Sequence, residues 1–128
     1  MATYRIWTTQ VAKWRIAKAS GIAFLDSTAK TGHSFLAPDF AVVMQYKRGE
    51  VSEKEYTKIY LDRMEHSRKA CPNKWAALMR MPLFAIACYC PAGKFCHRHL
   101  LKNDIKDYLE KQGHTVILEG ELVEPIEP

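Results

Sequence analysis

Three of the four cysteines and two of the five histidines fall in one stretch of twelve residues, Cys88-Tyr-Cys90-Pro-Ala-Gly-Lys-Phe-Cys96-His97-Arg98-His99. An apolar run, Leu83-Phe-Ala-Ile-Ala87, precedes it and an amphipathic pattern follows it. Strand, Pro/Gly loop and helix start, with Cys, His and Arg together at that start, is how α/β proteins build anion and nucleotide sites. A cysteine at a helix N-terminus feels the positive end of the dipole and has unpaired backbone N–H groups nearby, which favours its thiolate. An arginine there can fork onto phosphate or carboxylate. Cys96 and His97 are therefore candidate catalytic groups, and Arg98, Cys90 and Lys94 candidate anion-binding groups. The same residues also suit a plainer arrangement, with Cys96 as a small packing residue and His97 as a helix cap. Anion binding is the reading adopted, ahead of packing, with thiolate catalysis third.

Two familiar chemistries do not fit the spacing. A tyrosine-phosphatase-type loop needs a cysteine followed by arginine at the sixth position after it. Counted from Cys90 that position is Cys96, and counted from Cys88 it is Lys94. A zinc site has enough cysteine and histidine, but Cys-x-Cys-x5-Cys-His matches no common zinc module, so no metal and no cofactor is expected.

These residues need elements to position them. Tyr4-Arg-Ile-Trp-Thr8 alternates and reads as a strand. Thr9 can then cap a helix from Gln10 to about Ser20, stopped by Gly21, with Ala12, Ile16 and Ala19 buried. Ile22-Ala-Phe-Leu25 reads as a short strand covered on both faces, ending on Asp26-Ser27-Thr28. Pro38 suits the first turn of a helix through Phe40, Val43 and Met44. Ser52-Glu-Lys-Glu55 is a capping box, and Tyr56, Ile59, Tyr60 and Met64 form one apolar face behind it. Pro72-Asn73 starts a shorter helix from Lys74 to about Arg80. The strand Leu83–Cys88 leads through the loop to a helix from about His97 to Gln112, which Gly113 ends. Thr115-Val-Ile-Leu118 is the last strand.

This order implies crossover connections. The fold class expected is α/β, a single domain over residues 1–120 with a mostly parallel sheet of about four strands flanked by helices, Rossmann-like and three-layered. Residues 121–128, with two prolines and three acids, read as a frayed tail. Ligands in such sheets bind beyond the carboxyl ends of the strands. Thr8-Thr9, Asp26-Ser27-Thr28 and Cys88–Arg98 would meet there. Asp26 can act as a base, bind a ribose hydroxyl or orient His97; equally, it can cap the turn after its strand. Thr9, Lys30 and Ser34 complete the candidate ligand contacts, and Lys30 and Ser34, with His33, also suit a solvated loop.

The chain has 128 residues, 48% of them apolar, and a formal net charge of +5. It is large enough for one core. The charge favours phosphate-bearing partners and is also met by an ordinary basic surface. No run approaches membrane-spanning length and no apolar leader stands at the start, so a cytoplasmic protein with no membrane partner is expected. Its cysteines then read as thiols or ligands rather than a disulfide framework.

The apolar strand ending in Asp (Ile22–Asp26), Ala37-Pro38, the tyrosine-bearing helix (Glu55, Tyr56, Tyr60) and the apolar strand leading to Cys90…Cys96-His97-Arg98 together resemble the bacterial and phage domain of unknown function 488 family, over roughly residues 4–119. The Cys-His-Arg triplet is the most specific part. The resemblance implies a small α/β domain and carries no settled activity. It also implies a bacterial or phage setting, the host cytoplasm if phage-encoded.

The function expected is recognition of phosphate or nucleotide, with a nucleotide- or nucleoside-derived small molecule bound or processed. Enzyme and binder are not distinguished. One alternative is a nucleic-acid-binding accessory protein using Lys13, Arg15 and Lys18, residues that also suit a solvated helix face. The other is a protein–protein effector such as an inhibitor of a host enzyme. Oligomeric state is not readable from the sequence.

Overall fold

The computed structural model describes residues 2–29, 32–89 and 95–126. Its elements are β1 (Thr3–Gln10), α1 (Trp14–Ala19), β2 (Ala23–Asp26), α2 (Phe40–Lys47), α3 (Glu53–Ala70), α4 (Pro72–Leu78), β3 (Leu83–Cys88), α5 (His97–Lys111) and β4 (Thr115–Glu121). Short 3-10 turns stand at Val11–Lys13 and Ser34–Leu36. The four strands form one sheet in the order β2-β3-β1-β4, and every pairing is parallel. With helices on both faces this is the expected three-layer α/β arrangement.

The two faces are filled unequally. Strand side chains alternate, so Tyr4, Ile6, Phe84, Ile86 and Val116 meet Tyr60, Met64, Trp75, Leu101, Ile105 and Leu109 in the main core. The opposite face buries a smaller set, Trp7, Ala17, Ile22, Ala85 and Leu122. β3, buried on both sides, lies between β1 and β2 and carries its last residue, Cys88, to the centre of the carboxyl rim.

Several local expectations change. Pairing with β3 extends β1 to Gln10 opposite Cys88, so Thr9 is a strand residue and not a cap, and the helix starts only at Trp14. Ala17 is the buried residue of α1, while Ala12 and Ala19 are exposed. α2 begins two residues after Pro38, with the Asp39 carboxylate accepting from the Ala41 N–H at 2.8 Å. The Ser52–Glu55 capping box is present, but Ile59 faces outward and Ser67 extends the buried face instead. Pro72 is the first residue of α4, and Asn73 lies inside it.

The expected frayed end is corrected over residues 121–126. Leu122 is buried and its N–H donates to the Thr8 carbonyl at 2.7 Å, and the Ile126 N–H donates to Ser20 Oγ at 3.0 Å. Between Ile6 and Trp7 the register of β4 skips one residue, from Leu118 to Gly120. Such a bulge reverses the side-chain alternation beyond it. Glu121 therefore lies opposite Thr8 on the face that Val116 and Leu118 present to the main core. Gly120 takes a φ of +88°, a conformation open to glycine.

Candidate functional site

The sequence placed chemistry at the start of α5, where two consecutive side chains now diverge. His97 turns toward β2. Its Nε2 lies 2.8 Å from the Ser27 carbonyl oxygen and 2.9 Å from Ser27 Oγ. A carbonyl can only accept, and the Ser27 hydroxyl already donates to the Ala87 carbonyl at 2.8 Å. The proton must therefore sit on Nε2, which leaves Nδ1 as a lone pair. Burial pushes the His97 pKa down to about 4, with Arg98 adding to the effect against the Ser27 carbonyl and Asp26. At neutral pH His97 is a neutral imidazole whose acceptor nitrogen lies 3.8 Å from Cys96 Sγ. The Tyr60 ring, 5.4 Å away, backs it.

Arg98 turns the other way, toward β4, and is 0% exposed. Its Nε donates to Glu121 Oε1 at 3.0 Å, and its Nη1 donates to Cys88 Sγ at 2.9 Å. Thr8 Oγ1 donates to the same carboxylate oxygen at 2.6 Å. His99 Nε2 stands 4.0 Å from it, and burial lowers the His99 pKa, with Arg98 and Lys102 contributing. The guanidinium expected to hold a ligand anion instead holds Glu121 and the Cys88 sulfur beneath the rim. A buried arginine needs a counter-charge, and the β4 bulge supplies one.

Cys88 and Cys96, eight residues apart, bring their sulfurs together at the end of β3 and the start of α5. Cys71 is a free thiol. Cys96 is the N-cap residue of α5, and its own side chain makes no capping hydrogen bond.

A cleft of about 430 Å³ opens over this corner. Thr28, Cys88, Cys96 and His97 line its base, and Val43, Met44, Tyr46, Tyr56 and Phe95 form its walls. The rings of Tyr46, Tyr56 and Phe95 pack on one another at centroid distances of 5.2–5.6 Å. Phe40 and Tyr89 stand at the mouth, 45% and 62% exposed, and Lys47 is the cation among the described lining residues.

Asp26 reaches the rim, and its Oδ1 accepts from the Thr28 N–H at 2.9 Å, the turn-capping alternative; Ser27, not Asp26, holds His97. The chain returns over the end of β2 so closely that a Cβ at Gly32 would overlap the Asp26 carbonyl and the Thr28 amide. Thr9 is buried and donates to the Leu122 carbonyl at 2.9 Å, away from the cleft. Ser34 lines a different hollow of about 340 Å³, with His33 and Lys74. Cys90, Lys94 and Lys30 lie outside the described residues. Among the described residues no group of three or more His, Cys, Asp and Glu side chains could hold a metal ion, and no helix is long and apolar enough to cross a membrane.

Sequence reading missed Ser27 as the partner of His97 and Glu121 as the partner of Arg98. The signal for Glu121 was Gly120, since a glycine inside a strand pattern marks a bulge.

No curated protein and no solved structure matches the chain. A family model does, over residues 2–109: DUF488-N3a, described as the active DUF488-N3 subclade. That span includes Ser27, Cys88, Cys96, His97 and Arg98, and ends before β4. With most of its length matched, the chain belongs to the DUF488 family, in the subclade DUF488-N3a.

Proposed function

We propose that this protein recognises a nucleotide- or nucleoside-derived small molecule in the cleft above the start of α5, and that its place of action is the cytoplasm. The observation that carries this reading is an aromatic cleft whose base is a helix N-terminus. Exposed Phe40 and Tyr89 at the mouth offer faces on which a base can stack. The N-terminus of the 15-residue α5, together with Lys47, favours an anionic group on the same molecule. His97 Nδ1 supplies a hydrogen-bond acceptor at the base of the cleft. Description of the matched subclade as active supports a chemical rather than a packing role for this corner. Arg98 contributes from beneath, by holding Cys88.

Thermal-shift and NMR titrations with nucleosides, nucleoside monophosphates and inorganic phosphate test the proposal. Nucleotides should stabilise the chain. Phe40→Ala or Tyr89→Ala should weaken nucleoside and nucleotide alike by about tenfold, whereas Lys47→Ala should weaken the nucleotide only. Absence of binding across the panel, with a protein partner recovered instead, would favour the effector reading.

One observation favours a second reading, nucleic-acid binding. Trp14 is 42% exposed, the Arg15 guanidinium lies 4.7 Å from its ring centroid, and Lys13 and Lys18 stand close in sequence. Oligonucleotide binding that weakens steeply with salt, and is lost on changing Lys13, Arg15 or Lys18 but not Lys47, would establish it.

A further inference from the structure

We propose that Cys88 and Cys96 are a reversible dithiol–disulfide pair that exchanges with a low-molecular-weight thiol entering the cleft. The inference uses the same cleft as the nucleotide reading but does not rest on it. Two cysteines that served only to pack or to staple the loop would need nothing more than apolar neighbours. Here each sulfur has its own device for carrying negative charge.

Cys88 Sγ accepts from the Arg98 guanidinium at 2.9 Å, and Glu121 aims that guanidinium by holding its Nε. A permanent cation at hydrogen-bond distance favours thiolate over thiol. Cys96 stands at the N-cap of α5, where the helix dipole acts in the same direction. The lone pair of His97 Nδ1, fixed there by the Ser27 carbonyl, lies 3.8 Å from Cys96 Sγ as a polar neighbour of that sulfur. Both residues line the base of the cleft, Cys96 3% and Cys88 1% exposed.

A thiolate RS⁻ in the cleft attacks Cys96 Sγ. The new bond joins R-sulfur to Cys96, the Cys88–Cys96 bond breaks, and its electron pair leaves on Cys88 Sγ beside Arg98. A second RS⁻ attacks the R-sulfur of the mixed disulfide, releases RSSR, and leaves Cys96 as a thiolate next to His97. Two thiols are oxidised to one disulfide, the protein pair is reduced to a dithiol, and the protons lost by the thiols balance those gained by the protein. In the reverse direction the dithiol reduces a small disulfide.

The test equilibrates the intact chain across ratios of reduced to oxidised glutathione, quenches with acid, alkylates and reads the intact mass. Two alkylation sites should appear together as the ratio rises, in the native chain and in Cys71→Ser and Cys90→Ser, and peptide mapping should place them at Cys88 and Cys96. For the reduced chain, Arg98→Met should slow alkylation of Cys88 at neutral pH by about tenfold and move its pH profile upward, a response that a structural role would not give. Arg98→Lys, which keeps the charge, should restore most of the rate and serves if the methionine variant does not fold. A pair oxidised at every ratio, a pair reduced at every ratio, a zinc ion in the native mass, or an alkylation profile indifferent to Arg98 would each overturn the proposal.

Discussion

The corner where β3 meets α5 has two flanks, and they are held by different forces. On the β2 flank His97 is neutral and its tautomer is set by a backbone carbonyl. On the β4 flank Arg98 is fully buried and charged, and its counter-charge is a side chain, Glu121, brought to the right face by a bulge. The neutral flank faces the cleft; the charged flank lies beneath it. A backbone carbonyl persists through most substitutions, whereas a carboxylate is lost with a single one. The β2 flank should therefore tolerate mutation and the β4 flank should not.

The largest effect is expected where a buried charge loses its partner. Arg98→Met removes the guanidinium and leaves Glu121 with Thr8, and with His99 4.0 Å away, in a part-buried position. Breaking one side of such a pair costs about 4 kcal/mol, read as a lower urea midpoint at neutral pH. Restoration of that stability by Arg98→Met combined with Glu121→Leu would show that the cost is the stranded carboxylate. If the single variant lost less than about 1 kcal/mol, the pair would be acting as a solvated one and the contrast between flanks would fail.

How far the sequence could reach follows the same division. β3 and α5 were legible almost to the residue: one is an unbroken apolar run, and the other has a 3.6-residue apolar period ended by Gly113. The capping box at Ser52 was legible because its whole mechanism is local. The parallel sheet followed from element order. Pairing with distant residues was not legible. β1 runs through Thr9 and Gln10 because β3 lies beside them, which no local pattern records. Arg98 looked like an anion fork because its partner lies 23 residues on, behind a one-residue register skip, in a segment read as a loose tail. The family match also ends before that partner, at residue 109.

The next effect belongs to the neutral flank, and acid reveals it. Below pH 6.5 the unfolded chain takes up a proton on His97 that the folded chain refuses until about pH 4. Stability conferred by the buried neutral ring is therefore whole above pH 6.5, declines as the pH falls through that window, and is lower by about 3 kcal/mol at its acid end. Urea unfolding at pH 7 and at pH 4.5 should show a loss in the native chain that is smaller in His97→Gln. Equal losses in the two chains would mean that His97 titrates normally and that its lone pair is not available across the physiological range.

The smallest effect is the sharpest test of the comparison. Ser27→Ala deletes the hydroxyl that bridges His97 Nε2 and the Ala87 carbonyl. Neither partner is stranded, because the Ser27 carbonyl still accepts from Nε2 and the Ser27 N–H still donates to Ala87 at 2.9 Å. The loss should be about 1 kcal/mol. Nitrogen chemical shifts of the ring should still report the proton on Nε2, because the backbone alone is sufficient to set the tautomer. A proton found on Nδ1 in that variant would show that the hydroxyl, not the chain, orients the histidine. The β2 flank would then be as dependent on one side chain as the β4 flank is on Glu121.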